Sequence, residues 1–125
     1  VKKRGRECRE TVPKVRGVEV KSLKKVDVIA VSGRVDSSNA ADFENALKTS
    51  LARGRHNLVL DFSRLDYMSS AGLRSMLAAL KTARQGGGNV VIAQPTERIV
   101  DTLKLVGFQS LFSQYGDVLE AVDSF

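Results

Sequence analysis

The chain has 125 residues, 20 Lys/Arg against 14 Asp/Glu, a formal net charge of +6 and one cysteine. That length suits one domain, which can bury roughly two-thirds of the surface its unfolded form exposes without help from disulfides or metal. A lone Cys8 excludes a disulfide framework and a thiolate zinc cluster and fits a cytoplasmic setting; no apolar run nears the roughly 18 residues of a membrane span, and the basic N-terminus lacks the apolar core of a secretory signal.

The charge is unevenly placed. Residues 1–25 hold ten Lys/Arg and three Glu, a balance of +7, and the other hundred residues hold ten basic and eleven acidic, a balance of −1. The excess belongs to an arm and the strand beside it, whereas nucleic-acid-binding domains usually carry it on the folded face. Neither a nucleic-acid nor a membrane partner is therefore expected, and a basic-arm binder of either kind is the alternative. Residues 1–16 lack helical or strand periodicity and contain Pro13, so they read as a basic flexible arm before a domain at 17–125.

From Val18 the chain alternates as V-E-V-K-S-L and, after Lys24-Lys25, as V-D-V-I-A-V, a hairpin pattern closed by Ser32-Gly33-Arg34-Val35-Asp36. Ser37-Ser38-Asn39 offer short polar caps to a helix over 40–52, whose apolar face holds Phe43, Ala46, Leu47 and Leu51, with Gly54 just beyond it. The run N-L-V-L-D-F at 57–62 reads as a buried strand. A helix then carries the stripe Leu73, Met76, Leu77, Leu80 and Ala83 and stops at Gly86-Gly87-Gly88. N-V-V-I-A at 89–93 is a further strand, and Thr96 caps a helix with Ile99, Val100, Leu103 and Val106 on its apolar side, ending at Gly107. Leu111-Phe112 reads as a short last strand, and Gly116-Asp117 opens a final helix with Val118, Leu119 and Val122 buried. This order predicts an α/β domain with a mixed four- to five-stranded sheet, an N-terminal antiparallel hairpin joined to parallel crossovers, and about four helices.

No phosphate-binding G-x-x-x-x-G-K-[ST] is present, and the three glycines follow a helix and precede a strand, the wrong order for aiming amides at phosphate. His56 is the only histidine and nothing near it resembles a triad motif, while Asp61 and Asp66 are read as solvated or capping groups. What remains is Tyr67-Met68-Ser69-Ser70-Ala71-Gly72-Leu73, a strand-to-helix junction at which serines serve as N-caps and Gly72 permits close backbone approach.

The run D-F-S-R-L-D-Y-M-S-S-A-G-L at 61–73 resembles the signature of the STAS domain of bacterial anti-sigma factor antagonists. S-G-R-V-D-S-S-N-A at 32–40 is similar to that family's turn before its first helix, and V-V-I-A-Q-P-T-E-R-I-V-D-T-L-K-L-V-G-F at 90–108 to its last strand–helix segment. The resemblance implies a single STAS domain and a non-enzymatic binding protein. Unphosphorylated, it sequesters an anti-sigma factor that is also a serine kinase, releasing a sigma factor for transcription. It implies phosphorylation at Ser70, with Ser69 as second choice because it stands where the family commonly has Asp. It further implies a partner surface of Asp36, Ser69, Ser70 and Gly72, and a phosphatase for phospho-Ser70. No cofactor or metal is implied; weak GTP or ATP binding, seen in some members, is a minor alternative, as is a regulatory module of a larger signalling protein or anion transporter.

Overall fold

A computed structural model describes residues 18–23, 26–36 and 38–125. The basic arm, Lys24-Lys25 and the candidate cap Ser37 lie outside these residues. In chain order the elements are β1 (Val18–Leu23), β2 (Val26–Val35), α1 (Ala40–Ala52), β3 (Asn57–Met68), α2 (Ser70–Gln85), β4 (Asn89–Ala93), α3 (Glu97–Val106), β5 (Gln114–Tyr115) and α4 (Val118–Asp123). They form one five-stranded sheet in the order β1-β2-β3-β4-β5. β1 pairs antiparallel with β2, and each later pair is parallel.

Because the parallel strands follow one another in a single direction, right-handed crossovers put the connecting helices on the same face of the sheet. The main core is accordingly built from Ile29, Leu58, Leu60, Phe62, Val90 and Ile92 of the strands against Phe43 and Leu47 of α1, Met76 and Leu80 of α2, and Ile99 and Leu103 of α3. Burying each such large side chain contributes about 1.5–3 kcal/mol. The opposite face is thinner: Val26, Val28, Val59, Val91 and Ala93 pack against α4 through Ala121, with Val118 and Val122 beside it.

β3 departs from regular pairing. Its register against β2 shifts twice, between Ala30/Ser32 and between Gly33/Arg34, so that β3 gains residues and Asp66 has no cross-strand partner. Bulges of this kind change the period of the buried side chains from two to three, and Phe62, Leu65 and Met68 are all buried. Gly33, with φ +79, bends β2 to follow. The 57–62 strand therefore continues to Met68, and β2 continues to Val35 rather than closing at Ser32.

Three other expectations change. Phe112 is fully buried, but the last strand is Gln114–Tyr115 rather than Leu111-Phe112. Leu119 is 71% exposed and Ala121 is the buried residue of α4; Val106, 44% exposed, lies off the buried side of α3. The polar Ser75 is also buried, and it donates its hydroxyl to the Ala71 carbonyl at 3.1 Å.

Candidate functional site

The C-terminal ends of β2 and β3 lie side by side, Val35 opposite Met68, at the end of the sheet where parallel strands build their sites; β4 ends earlier, with Ala93 opposite Asp61. Three connections meet there, and short hydrogen bonds fix them to one another. The Ser69 amide donates to the Val35 carbonyl at 2.7 Å, joining the end of β3 to the end of β2. Thr96 caps α3 through the Ile99 amide and donates its hydroxyl to the Leu65 carbonyl at 2.8 Å, tying the β4–α3 connection to β3.

The two serines divide their work. Ser69, with φ −76 and ψ 167, is the N-cap of α2, and its Oγ accepts from the Gly72 amide at 3.2 Å. Its carbonyl accepts from Leu73 at 3.0 Å, the first helical hydrogen bond. Ser70 is the first helical residue and is exposed, so the capping role falls to Ser69. Among the described residues the Ser70 hydroxyl has no partner, and it stands at the positive end of a 16-residue helix with no acidic residue in its first turn.

Gly72 makes this arrangement possible. A Cβ there would collide with the Met68 sulfur and lie 2.9 Å from Val35 Cγ1, both buried side chains. Its absence lets the first turn of α2 settle onto the ends of β2 and β3. Gly72 is itself buried.

The β2–α1 connection supplies the charge. Asp36 accepts at Oδ1 from the Ser38 hydroxyl at 2.6 Å and the Ser38 amide at 2.9 Å. Those two bonds, with smaller help from the Arg34 charge and the Asn39 amide, hold its carboxyl below the ordinary carboxylate range against a modest desolvation. Asp36 is therefore an anion at neutral pH. Asn39 does not cap α1 through its side chain as its type suggested: its Oδ1 accepts from the Asp36 amide at 2.8 Å and its Nδ2 donates to the Arg34 carbonyl at 2.7 Å. These bonds tie Asp36 and Asn39 to the end of β2.

Two features escaped the sequence reading. The Arg34 guanidinium lies over the Tyr67 ring, 4.5 Å from its centroid, and both side chains are exposed at the rim of the site. The register makes it legible afterwards, since Arg34 and Tyr67 are paired across β2 and β3. The other is far from the rim: Asp27, fully buried, accepts from Arg55 Nε at 2.9 Å.

The structure also separates groups that a catalytic reading needs together. His56 precedes β3 and packs against Gly86 and Gly88, whereas Ser69 follows the same 12-residue strand, roughly 30 Å or more away at strand rise. Asp61 turns its Oδ1 to the Ser63 amide at 3.1 Å. Among the described residues no Ser-His pair forms, and Asp66 is exposed at the bulge.

The domain is thus a mixed sheet with three crossover helices on one face and a hydroxyl-bearing helix N-terminus tied to the end of β2. The STAS domain family model matches residues 18–121, and the chain belongs to that family. BtrV of Bordetella bronchiseptica (strain ATCC BAA-588 / NCTC 13252 / RB50), named as a candidate anti-sigma factor antagonist, is 35% identical over 94 residues, which cover 73% of this chain and 81% of BtrV. Of solved structures, the candidate anti-sigma factor antagonist TM1081 of Thermotoga maritima superposes with a TM-score of 0.80 at 20% identity, covering 86% of this chain and 92% of its own. The anti-sigma factor antagonist SpoIIAA, solved unphosphorylated, gives 0.76 at 17% identity over 86% of this chain and 94% of its own. Its phosphorylated form, from Bacillus, gives 0.70 at 17% identity over 86% of this chain and 97% of its own. At those identities the solved structures establish the fold alone.

Proposed function

We propose that the chain is an anti-sigma factor antagonist switched by phosphorylation of Ser70. Unmodified, it binds and sequesters an anti-sigma factor with serine kinase activity in the cytoplasm, freeing a sigma factor; phosphorylated, it lets go, and a phosphatase resets it. It is the substrate of that kinase and not itself an enzyme, and it needs no cofactor. The observation that carries this reading is the division between the serines. Ser69 is half-buried and its Oγ is spent on the Gly72 amide, while Ser70 is exposed at the helix start with its hydroxyl unpartnered among the described residues.

The physical effect of modification follows from where Ser70 stands. A phosphate adds roughly −1.5 to −2 charges, which a helix N-terminus accommodates, so the fold survives. The partner surface does not: Asp36, held ionised by Ser38, and the exposed Asp66 already make part of this end anionic. A further loss of about 3 kcal/mol on docking weakens binding more than a hundredfold.

The test uses this chain and the purified anti-sigma factor kinase of its own organism. With ATP, phosphate is expected on Ser70 by peptide mapping, Ser70→Ala is expected to bind as the unmodified chain does, and Ser70→Asp at least tenfold more weakly. Phosphate on Ser69 alone, or equal binding by the two variants, refutes the assignment.

A further inference from the structure

We infer that Arg34, held over Tyr67, is the cation with which this face selects its partner, and that it takes a carboxylate on the partner's docking surface. The inference rests on the binding role proposed above and adds to it the chemistry of the group opposite.

Arg34 is exposed, and among the described residues no carboxylate lies within ion-pair distance of its guanidinium. It is nonetheless ordered from two directions. Its side chain is over the Tyr67 ring, 4.5 Å from the centroid, and its carbonyl accepts the Asn39 amide group at 2.7 Å. The next residue, Val35, receives the Ser69 amide, so the same stretch of β2 sets both the guanidinium and the cap of α2. A guanidinium held over a ring by its charge keeps N–H donors for a carboxylate, which such donors grip in pairs. Holding the side chain in advance also removes much of the rotamer entropy that an arginine otherwise loses on binding.

The composition fits an interface as well. Tyr and Arg dominate the energetically decisive positions of protein interfaces, and Tyr67, 41% exposed, is a large aromatic at the rim of the site. The rim carries opposite charges in a fixed order, Arg34 and then Asp36 two residues on. Such an arrangement sets register and rejects partners that place a cation opposite Arg34. Phosphate on Ser70 adds negative charge to the same rim and repels the carboxylate that Arg34 attracts.

The experiment measures affinity of the purified anti-sigma factor kinase for wild type, Arg34→Glu, Arg34→Gln, Tyr67→Leu and, as a charge-reversal control on α1, Lys48→Glu. Arg34→Glu is expected to weaken binding by about 30-fold or more, Arg34→Gln and Tyr67→Leu by about three- to tenfold, and Lys48→Glu not at all. Urea midpoints of all four should match wild type, because the altered side chains are exposed. Reversing one acidic residue of the kinase to Lys should restore binding to Arg34→Glu. A loss below about tenfold for Arg34→Glu, or an equal loss for Lys48→Glu, overturns the inference while leaving the switch intact. Failure of the wild-type chain to bind the kinase overturns the switch first and this inference with it.

Discussion

Replacing Gly72 by Ala probes the joint that places Ser69 and Ser70. The added methyl has no left-handed strain to answer for, because this position is helical, and on propensity alone Ala should gain up to about 1 kcal/mol over Gly. Against that stands overlap with the Met68 sulfur and a 2.9 Å approach to Val35 Cγ1. Met68 can rotate its side-chain end away, but it is 4% exposed and rotation displaces its neighbours; Val35 is β-branched, 2% exposed and held in β2, so it cannot. Overpacking of this kind costs about 1–3 kcal/mol, leaving a net loss of about 1–2 kcal/mol. With a urea m-value of about 1–2 kcal/mol/M, the unfolding midpoint should fall by about 1 M. Relief comes with the first turn of α2 backing away from the sheet, which strains the Ser69–Val35 bond and slows phosphorylation at the junction. In a double-mutant cycle with Met68→Ala the two changes should couple favourably by about 1 kcal/mol. A Gly72→Ala midpoint equal to or above wild type refutes the close-approach argument.

The serines should separate in stability as they do in geometry. Ser69→Ala loses the cap on Gly72 and is expected to cost about 1 kcal/mol by urea denaturation, whereas Ser70→Ala should be neutral or slightly stabilising; the reverse ranking contradicts the assignment of the cap. Arg55→Met strands the Asp27 carboxylate, fully buried with Oδ2 already unpartnered among the described residues, and should destabilise by about 3 kcal/mol or more, lowering Tm by roughly 10 °C in calorimetry. A shift under 3 °C would mean that the pair contributes little beyond packing.

How far the sequence disclosed all this depended on which signal a segment used. α1, α2, β4 and α3 follow undistorted periods with Gly or Thr at their ends, and their bounds agree with the pattern to within a residue or two. β3 resists because its bulges give Phe62, Leu65 and Met68 a spacing of three, which matches neither a regular strand nor a helix, so the strand pattern stops at Phe62. α4 is too short to set its own face; packing beneath β4 selects Ala121 over Leu119. Asn39 has the composition of a cap, but the bend after β2 leaves the Asp36 amide and Arg34 carbonyl in need of partners, and tertiary context claims it. At the site, the S-S-A-G run located the junction, yet choosing the cap between Ser69 and Ser70 required backbone dihedrals, which turn on the one-residue offset of the strand end.

Among the described residues the sheet follows the order of the chain: every strand after β1 pairs with the one made before it, and none must be inserted between two already in place. Each addition closes only one helix-length loop, so the domain can grow outward from its first hairpin as a polypeptide leaves the ribosome, with little waiting for distant partners. The growing edge is always the newest strand, and it ends on a two-residue strand too short to recruit a neighbour. At that side the sheet therefore offers little to an added strand.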